Sequence, residues 1–356
     1  MKRLLKRLVP SYLQQLFREW SFNESTIIYK GLSYRDYLDS ALSLMRPNIS
    51  EKGKVSLLRD IKYAFIKEGF RPDEYLLFEL DKKTSEERKG YMSQKMKERI
   101  LIDYYQDQWP KIISQLKDKY CFYGLTERFF KRELIKVTSV EDAKKLELFC
   151  LKNQRVICKP MDSGCGVGVS VIEANTIESW MELCSEMISK GSWVVEELID
   201  QDEEMAKFNK SSINTVRLPS FKHGKKITPA YPLVRIGREG SVVDNAAQGG
   251  VFACVDVETG IVITNGFDEL GNQYERHPDS NIYFKGYSIP KWKELLNLSK
   301  IIHSSLPEYH TYVGFDFALS RSGWVLVEGN WGDFYMMEIA LQRGLRKEFV
   351  DLLYDN

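Results

Sequence analysis

An α+β protein, with antiparallel sheets preceded by a mostly helical N-terminal region, is the fold class this sequence predicts. Two observations carry that reading. Up to about Leu116 the apolar residues recur with a helical period. From about Lys117 short β-branched runs dominate, with a few helical stretches between them and no regular βαβ alternation. A third observation weighs against a dinucleotide-binding fold. The glycines after "VICKP" lead into another β-branched run, whereas that fold needs them to open a helix.

In the helical part, "VSLLRDIKYAFIKEG" places Val55, Leu57, Leu58, Ile61, Ala64 and Phe65 at helical spacing, closed by Gly69. "RPDEYLLFEL" reads as a helix started by proline, and "SEERKGYMSQKMKERILIDYY" as a turn followed by a helix. The strand candidates are "RVICKP", "VGVSVIEA", "SWVVEELI", "NTVRLPSF", "KITPAYPLVRI", "GGVFACVDV", "GIVIT", "GFDFALS" and "WVLVEGN". "TIESWMELCSEMISKG" and "PKWKELLNLSKIIHSSL" are helices set among them.

Composition excludes several classes. The 356 residues suffice for two or three subdomains, and 43% hydrophobic with 28% charged residues describes a folded globular chain. A net charge of +1 offers no bulk attraction for nucleic acid. Cys121, Cys150, Cys158, Cys165, Cys184 and Cys254 form no C-x-x-C pair, which fits a reducing cytoplasm. The opening "MKRLLKRLVPSYLQQLFREW" interleaves Lys2, Arg3, Lys6 and Arg7 with leucines. It is either a packed helix with a solvated face or one that docks on the anionic inner face of a membrane.

Four constellations carry chemistry. Gly164, Gly166 and Gly168 behind Lys159 form either a phosphate cradle or a plain hairpin. In "GFDFALSRSGWVLVEGNWGDF", Glu328 and Asn330 are two apart and share a strand face. A hairpin partner can bring Asp316 beside them, and such oxygen donors suit Mg²⁺. "SWVVEELID" is a buried strand ending in two glutamates, either a hinge that reads a base edge or a strand running into solvent. Arg217 and Arg235 sit in apolar runs, where they pair with an acid or grip an anion. The polar loop "VVDNAAQGGVFA" is a turn or faces substrate. No Ser-His or Cys-His pair emerges from His223, His277, His303 and His310.

Taken in order, these pieces resemble the ATP-grasp superfamily. "VICKPMDSGCGVGVSV" resembles its small ATP-clamping subdomain, "WVVEELI" its hinge strand and "DFALSRSGWVLVEGNWG" its metal-binding hairpin. "GFRPDEYLLFELDKKTSEERKGYMS", "LKDKYCFYGLTERF", "NTVRLPSF" and "LVRIGREGSVVDNAAQGGVFACVDVETG" resemble the sugar-transfer-associated branch, which includes proteins similar to teichuronopeptide-synthesis ligases. The resemblance spans roughly Lys54 to Arg346.

It implies an N-terminal region over 1–116 and an ATP-grasp domain over 117–356. Within that domain the small subdomain covers about 135–198 and the catalytic subdomain about 199–350. Lys119 and Lys159 would contact nucleotide phosphates under the glycine loop. Glu196 would accept from the adenine amino group, and the backbone of Glu197, Leu198 and Ile199 would read the ring edge. Glu203 would bind the ribose. Asp316, Glu328 and Asn330 would hold Mg²⁺, as two ions, or Mn²⁺. Arg217 and Arg235 would stabilise the transferring phosphoryl group, with Asn245 and Gln248 on the acceptor side.

The implied activity is ADP-forming carboxylate–amine ligation through an acyl-phosphate, joining an amino acid to a uronic acid in cell-surface polysaccharide or capsule synthesis. Both substrates would be free or carrier-linked. The alternatives are an ATP-grasp phosphotransferase acting on a sugar hydroxyl, and a nucleotide-binding partner of a glycosyltransferase. After Asn330 the chain reads "WGDFYMM" where many family members have a Pro-Gly turn.

Overall fold

The computed structural model describes residues 26–27, 32–161, 164, 166–238, 240–332 and 334–355. The basic amphipathic opening lies outside them. Among the described residues no helix is long and apolar enough to cross a membrane.

A short ladder of β1 (Thr26–Ile27) with β2 (Leu32–Ser33) precedes the helices α1 (Tyr34–Met45) and α2 (Glu51–Tyr63). Ser33 and Ser50 cap them by accepting from the amides of Asp36 and Gly53, each at 3.1 Å. Then come α3 (Pro72–Leu77), α4 (Ser85–Gly90), α5 (Gln94–Tyr105), α6 (Trp109–Lys117) and α7 (Lys119–Phe130). Two details depart from expectation. "SEERKG" is a helix rather than a turn, because Thr84 and Glu87 form a reciprocal capping box. The helical region also continues to Phe130. Asp118 accepts from the amides of Tyr120 and Cys121, both at 2.9 Å, and starts α7 where strands were anticipated.

A four-stranded antiparallel sheet follows, built from β3 (Leu134–Val137), β4 (Arg155–Pro160), β5 (Ser170–Glu173) and β6 (Trp193–Glu197) in the order β3-β6-β4-β5. Side chains alternate across β4 and β6. Val156, Cys158 and Val195 pack under α8 (Ala143–Asn153) and α9 (Trp180–Ser189). Ile157, Lys159 and Glu196 face the other way, toward the cavity described below.

The larger sheet comes after the short α10 (Glu203–Ala206). Its strands are β7 (Thr215–His223), β8 (Lys226–Pro229), β9 (Leu233–Ile236), β10 (Val251–Cys254), β11 (Gly266–Phe267) and β12 (Gln273–Tyr274), completed by β13 (Tyr312–Ser320) and β14 (Gly323–Asn330). The order is β12-β11-β10-β9-β7-β13-β14, with β8 on β7, and every pairing is antiparallel. "GIVIT" makes only single bridges at Ile261 and Val262, so it is no strand. Helices α11 (Trp292–Ser305), α12 (Phe334–Leu341) and α13 (Arg346–Tyr354) complete the fold.

Buried polar groups tie the helical region to this sheet. Lys97 of α5 is 3% exposed and donates to the Tyr312 hydroxyl at 3.1 Å, with the rings of Tyr312, Phe334 and Phe349 around it. Glu338 of α12 accepts from the amides of Met92 (3.1 Å) and Leu345 (2.8 Å). Glu74 accepts from the amides of Arg71 (2.8 Å) and Gln94 (2.7 Å). Burial raises the Glu74 carboxyl from 4.5 to about 7, with Arg71 partly offsetting it.

The folded-state value lies above the unfolded one. Folding therefore takes up a proton between those limits, and stability rises as pH falls from 7 toward 4.5. Glu74→Gln removes this titration. Relative to wild type, the variant is expected to gain about 2 kcal/mol more at pH 8 than at pH 5.5. Urea midpoints of both chains at the two pH values test it, and an equal difference at both would refute the assignment.

Candidate active site

The β13–β14 hairpin turns tightly through Arg321 and Ser322, and its register runs from Ser320↔Gly323 to Phe317↔Leu326. One residue, Val327, is then skipped, so that Asp316 faces Glu328. Without this bulge Glu328 and Asn330 would lie on the opposite face from Asp316. On its other edge Asp316 is paired with Arg217 of β7, and Thr215 is paired with Arg235 of β9. The result is a row of charged side chains across four strands.

The row is tightly bonded. Both Asp316 oxygens are taken by Arg217, through Nε and through Nη2 at 2.6 Å. Arg235 Nη2 adds a bond to Asp316 Oδ2 at 2.8 Å and donates to Thr215 Oγ1 at 2.9 Å. Asp244 accepts from the Thr215 amide at 3.0 Å and lies 3.6 Å from Arg235 Nη2. Asn330 Nδ2 donates to Glu328 Oε1 at 3.1 Å and to Asp316 Oδ2 at 3.3 Å.

Burial alone would raise the Asp316 carboxyl, but Arg217 and Arg235 outweigh it and bring the group down to about 2. Glu328 moves the other way, raised by burial and by the Asp316 charge beside it. Its side chain keeps 32% exposure, and that surface opens onto the cavity.

Across the cavity, Glu196 of β6 is held by two cations. Lys159 Nζ lies 2.9 Å from Oε1, and Arg132 donates to Oε2 through Nη2 at 2.7 Å and Nε at 3.0 Å. These charges overcome the effect of burial and hold Glu196 at about 2. Arg132 also reaches the larger sheet, donating to the carbonyls of Leu326 at 2.7 Å and Val327 at 3.4 Å. It thus joins β6 to the bulge that orients Glu328. Lys119 donates to the carbonyls of Pro160 (3.1 Å) and Met161 (3.4 Å). In the glycine loop, Gly166 has φ of +72°, and a Cβ there would sit 2.6 Å from Asn245 Oδ1. The loop and the Asn245 segment therefore meet with no room for a side chain.

A cavity of about 650 Å³ lies between the two sheets. Its wall includes Lys119, Lys159, Gly164, Gly166, Glu196, Glu197, Leu198, Ile199, Arg217, Arg235, Asn245, Glu328 and Asn330. Asp316 is completely buried beneath this wall. Gly168, Glu203 and Gln248 do not line it. Gly168 packs toward Pro160, Glu203 is exposed at the start of α10, and Gln248 is exposed in a short turn. The Glu196 carboxylate, expected to accept from an adenine amino group, is instead directed at Lys159 and Arg132, which take both of its oxygens. Sequence reasoning passed over Arg132, Gln94, Glu269, Trp331 and Tyr335, all of which line the cavity. Arg132 lies two residues before β3 and gave no periodic signal. Gln94 and Glu269 come from segments with no motif, and Trp331 and Tyr335 lie in "WGDFYMM", where the chain departs from the family's turn and no role was assigned.

A model of the sugar-transfer associated ATP-grasp family matches residues 101–352. The chain belongs to that family. No curated protein matches it. Among solved structures, the ATP-grasp ligase PsnB complexed with a minimal precursor is 13% identical, with a TM-score of 0.42, over 69% of this chain and 62% of its own. The D-alanine–D-alanine ligase of Helicobacter pylori is 13% identical, with a TM-score of 0.42, over 67% and 61%. The D-alanyl-alanine synthetase A of Vibrio cholerae is 14% identical, with a TM-score of 0.40, over 68% and 65%. The chain spans less than two thirds of the length of each.

For an ATP-grasp protein the donor chemistry of the hairpin is the point to test. Among the described residues no group of three or more His, Cys, Asp or Glu side chains encloses a metal by itself. The hairpin turns one carboxylate, Glu328, and one amide, Asn330, to the cavity, which suits Mg²⁺, an ion that completes its shell with phosphate oxygens and water; Asp316, expected as a third ligand, lies beneath them with both oxygens on Arg217 and Arg235. Burial first, and the Asp316 charge second, raise the Glu328 carboxyl, and a cation beside it would offset both. Glu328 and Asn330 fit the ion, with Asp316 placed to support them from behind.

Arg132→Met leaves Glu196 buried with one cation fewer and is expected to cost about 3–5 kcal/mol at neutral pH. The folded Glu196 value lies below the unfolded one of 4.5, so the pair contributes above 4.5 and fades as pH falls toward 2. The difference between variant and wild type should therefore shrink across that window in denaturant titrations. A pH-independent difference would show that Arg132 acts through packing alone.

Proposed function

We propose that this ATP-grasp chain is an ADP-forming carboxylate–amine ligase. The observation that carries the reading is the joint presence, in one cavity, of the Asp316–Arg217–Arg235 row with Glu328 and Asn330, and of the Lys159–Glu196–Arg132 network. In this reading a substrate carboxylate oxygen attacks the γ-phosphorus of ATP. The bond to the β–γ bridging oxygen breaks, and ADP leaves. An amine nitrogen then attacks the acyl carbon and the C–O bond to phosphate breaks. The proton lost by the amine leaves on inorganic phosphate.

Each group has a role matched to its chemistry. Lys119 and Lys159 neutralise nucleotide phosphates, with Gly164, Gly166 and Gly168 in the loop above them. The backbone of Glu197 to Ile199 reads the adenine edge beside Glu196. Arg217 and Arg235 are buried and fixed by Asp316, so they stabilise transferring charge without reorganising. Glu328 and Asn330, with Asp316 behind them, would hold Mg²⁺, as two ions, which supplies charge neutralisation at the phosphates. Asn245 borders the acceptor.

The family's association with sugar transfer supports a saccharide partner, such as a uronic acid or an amino sugar on a nucleotide or lipid carrier, in a polysaccharide pathway. A lipid-linked acceptor would give the basic opening segment a membrane surface to meet, and glycosyltransferases would be its working partners.

The test is ADP release with Mg²⁺ and ATP, with hydroxylamine present, across uronic acids and amino acids. A hydroxamate with one carboxylate is the expected result. Glu328→Ala should lower ADP release by at least about a hundredfold. A phosphorylated sugar with no hydroxamate would replace the ligase with a phosphotransferase.

A further inference from the structure

The cavity has two ends, and β14 orders them. Arg132 donates to the Leu326 carbonyl at the hinge end. Glu328 and Asn330 follow along the strand, and Trp331 and Gly332 come last. At about 3.3 Å per residue, the walk from Leu326 to Trp331 covers about 16 Å. The Tyr312 hydroxyl, which receives the Lys97 bond, donates to the Gly332 carbonyl at 3.4 Å and so holds α5 with Gln94 at this far end. Tyr335 and Met336 follow on α12, and Tyr335 donates at 3.0 Å to Glu269, which arrives from the turn after β11.

Helix α6 meets Trp331 with both of its ends. Trp109, its first residue, sets its ring perpendicular to that of Trp331 with the centroids 5.7 Å apart, and stacks in turn on Tyr105 at 5.9 Å. Lys117, its last residue, lies over the Trp331 ring at 5.7 Å. Eight residues of helix separate the two, about 12 Å. The indole is thus positioned by the helix as a whole, with Lys117 brought to the cavity wall beside it.

Six cations line the cavity among the described residues, and five of them are engaged. Lys159 and Arg132 share Glu196, Arg217 and Arg235 share Asp316, and Lys119 is bonded to the carbonyls of Pro160 and Met161. Lys117 differs. Among the described residues its ammonium makes no ion pair and no hydrogen bond. Asp118 beside it is turned to the amides of Tyr120 and Cys121. An aromatic face attracts a cation but leaves its three N–H donors without an acceptor. An ammonium so placed at the wall of a cavity is a ready partner for an anion, and the pair gains strength as ligand displaces water. Around it Leu116, Trp331 and Met336 are apolar and Gln94 offers an amide. That mixture suits a pyranose, which has an apolar C–H face and a rim of hydroxyls.

We infer that Lys117 binds an anionic group, carboxylate or phosphate, on a saccharide that packs against Trp331. The inference rests on the ligase reading and narrows it. Of the saccharides named there it selects the acidic ones, since an amino sugar would meet like charge at this lysine.

The test is calorimetric titration of the full chain, with Mg²⁺ and a non-hydrolysable ATP analogue filling the hinge end. The probes are glucose, glucuronate and glucose 1-phosphate, with the same three forms of galactose. At least one anionic sugar should bind tenfold or more tightly than its neutral parent. Preference for the uronate places the anion on the sugar ring, and preference for the 1-phosphate places it at the link to a carrier. Lys117→Met, which keeps a side chain over the indole, should abolish the preference, and Lys117→Arg should retain it within threefold. Trp331→Leu should weaken neutral and anionic sugars by the same factor, about fivefold. Binding of the ATP analogue reports that each variant is folded. No preference in any pair, or one that survives Lys117→Met, overturns the inference. A tenfold loss of analogue affinity in Lys117→Met would assign this lysine to the nucleotide and overturn it as well. Hydroxamate formation separates the two ideas. Hydroxamate without anion preference removes the Lys117 site alone, and anion preference without hydroxamate removes the ligase alone.

Discussion

The bond between Asp316 and its two arginines is the constraint on which the rest of the site depends. A carboxylate with no exposure and two guanidiniums at 2% and 5% exposure are affordable in a sheet interior only as a mutual set. Their positions follow from strand register, since Arg217 and Glu328 are the cross-strand neighbours of Asp316. The charged row is therefore as rigid as the sheet itself. Groups placed on strands in this way hold their geometry better than groups on loops, which is what a site for charge transfer needs.

A second set of ions performs the equivalent task between the sheets. Arg132 belongs to neither sheet, yet it is bonded to Glu196 of the small sheet and to the Leu326 and Val327 carbonyls of the large one. Val327 is the residue that the bulge leaves over. The same guanidinium thus meets the Glu196 carboxylate and the backbone irregularity that aims Glu328. Any change in how Lys159 and Arg132 share Glu196 is transmitted to the hairpin through one side chain.

Much of this was legible in the amino-acid sequence, for definite physical reasons. Period-two projection put Glu328 and Asn330 together, and apolar neighbours demanded buried partners for Asp316, Arg217 and Arg235. Helix limits were less legible, because the cap at Asp118 and the box at Thr84 act through local hydrogen bonds that a hydrophobic period does not register. Arg132, Glu269 and Tyr335 were illegible. Their significance arises from contacts over long sequence separations, and nothing in their immediate neighbourhood announces them. Glu203 and Gln248 show the converse, since a plausible place in a motif did not bring them to the cavity wall.

The family match begins at residue 101, but Gln94 and Lys97 precede it. One lines the cavity, and the other supports the Tyr312 hydroxyl that steadies Gly332. The limit of the matched stretch and the limit of the working enclosure therefore do not coincide. A chain cut at the former would carry the charged row intact and yet stand open at its far end. The first turns of α5 thus shape the enclosure without belonging to the stretch by which the family is recognised.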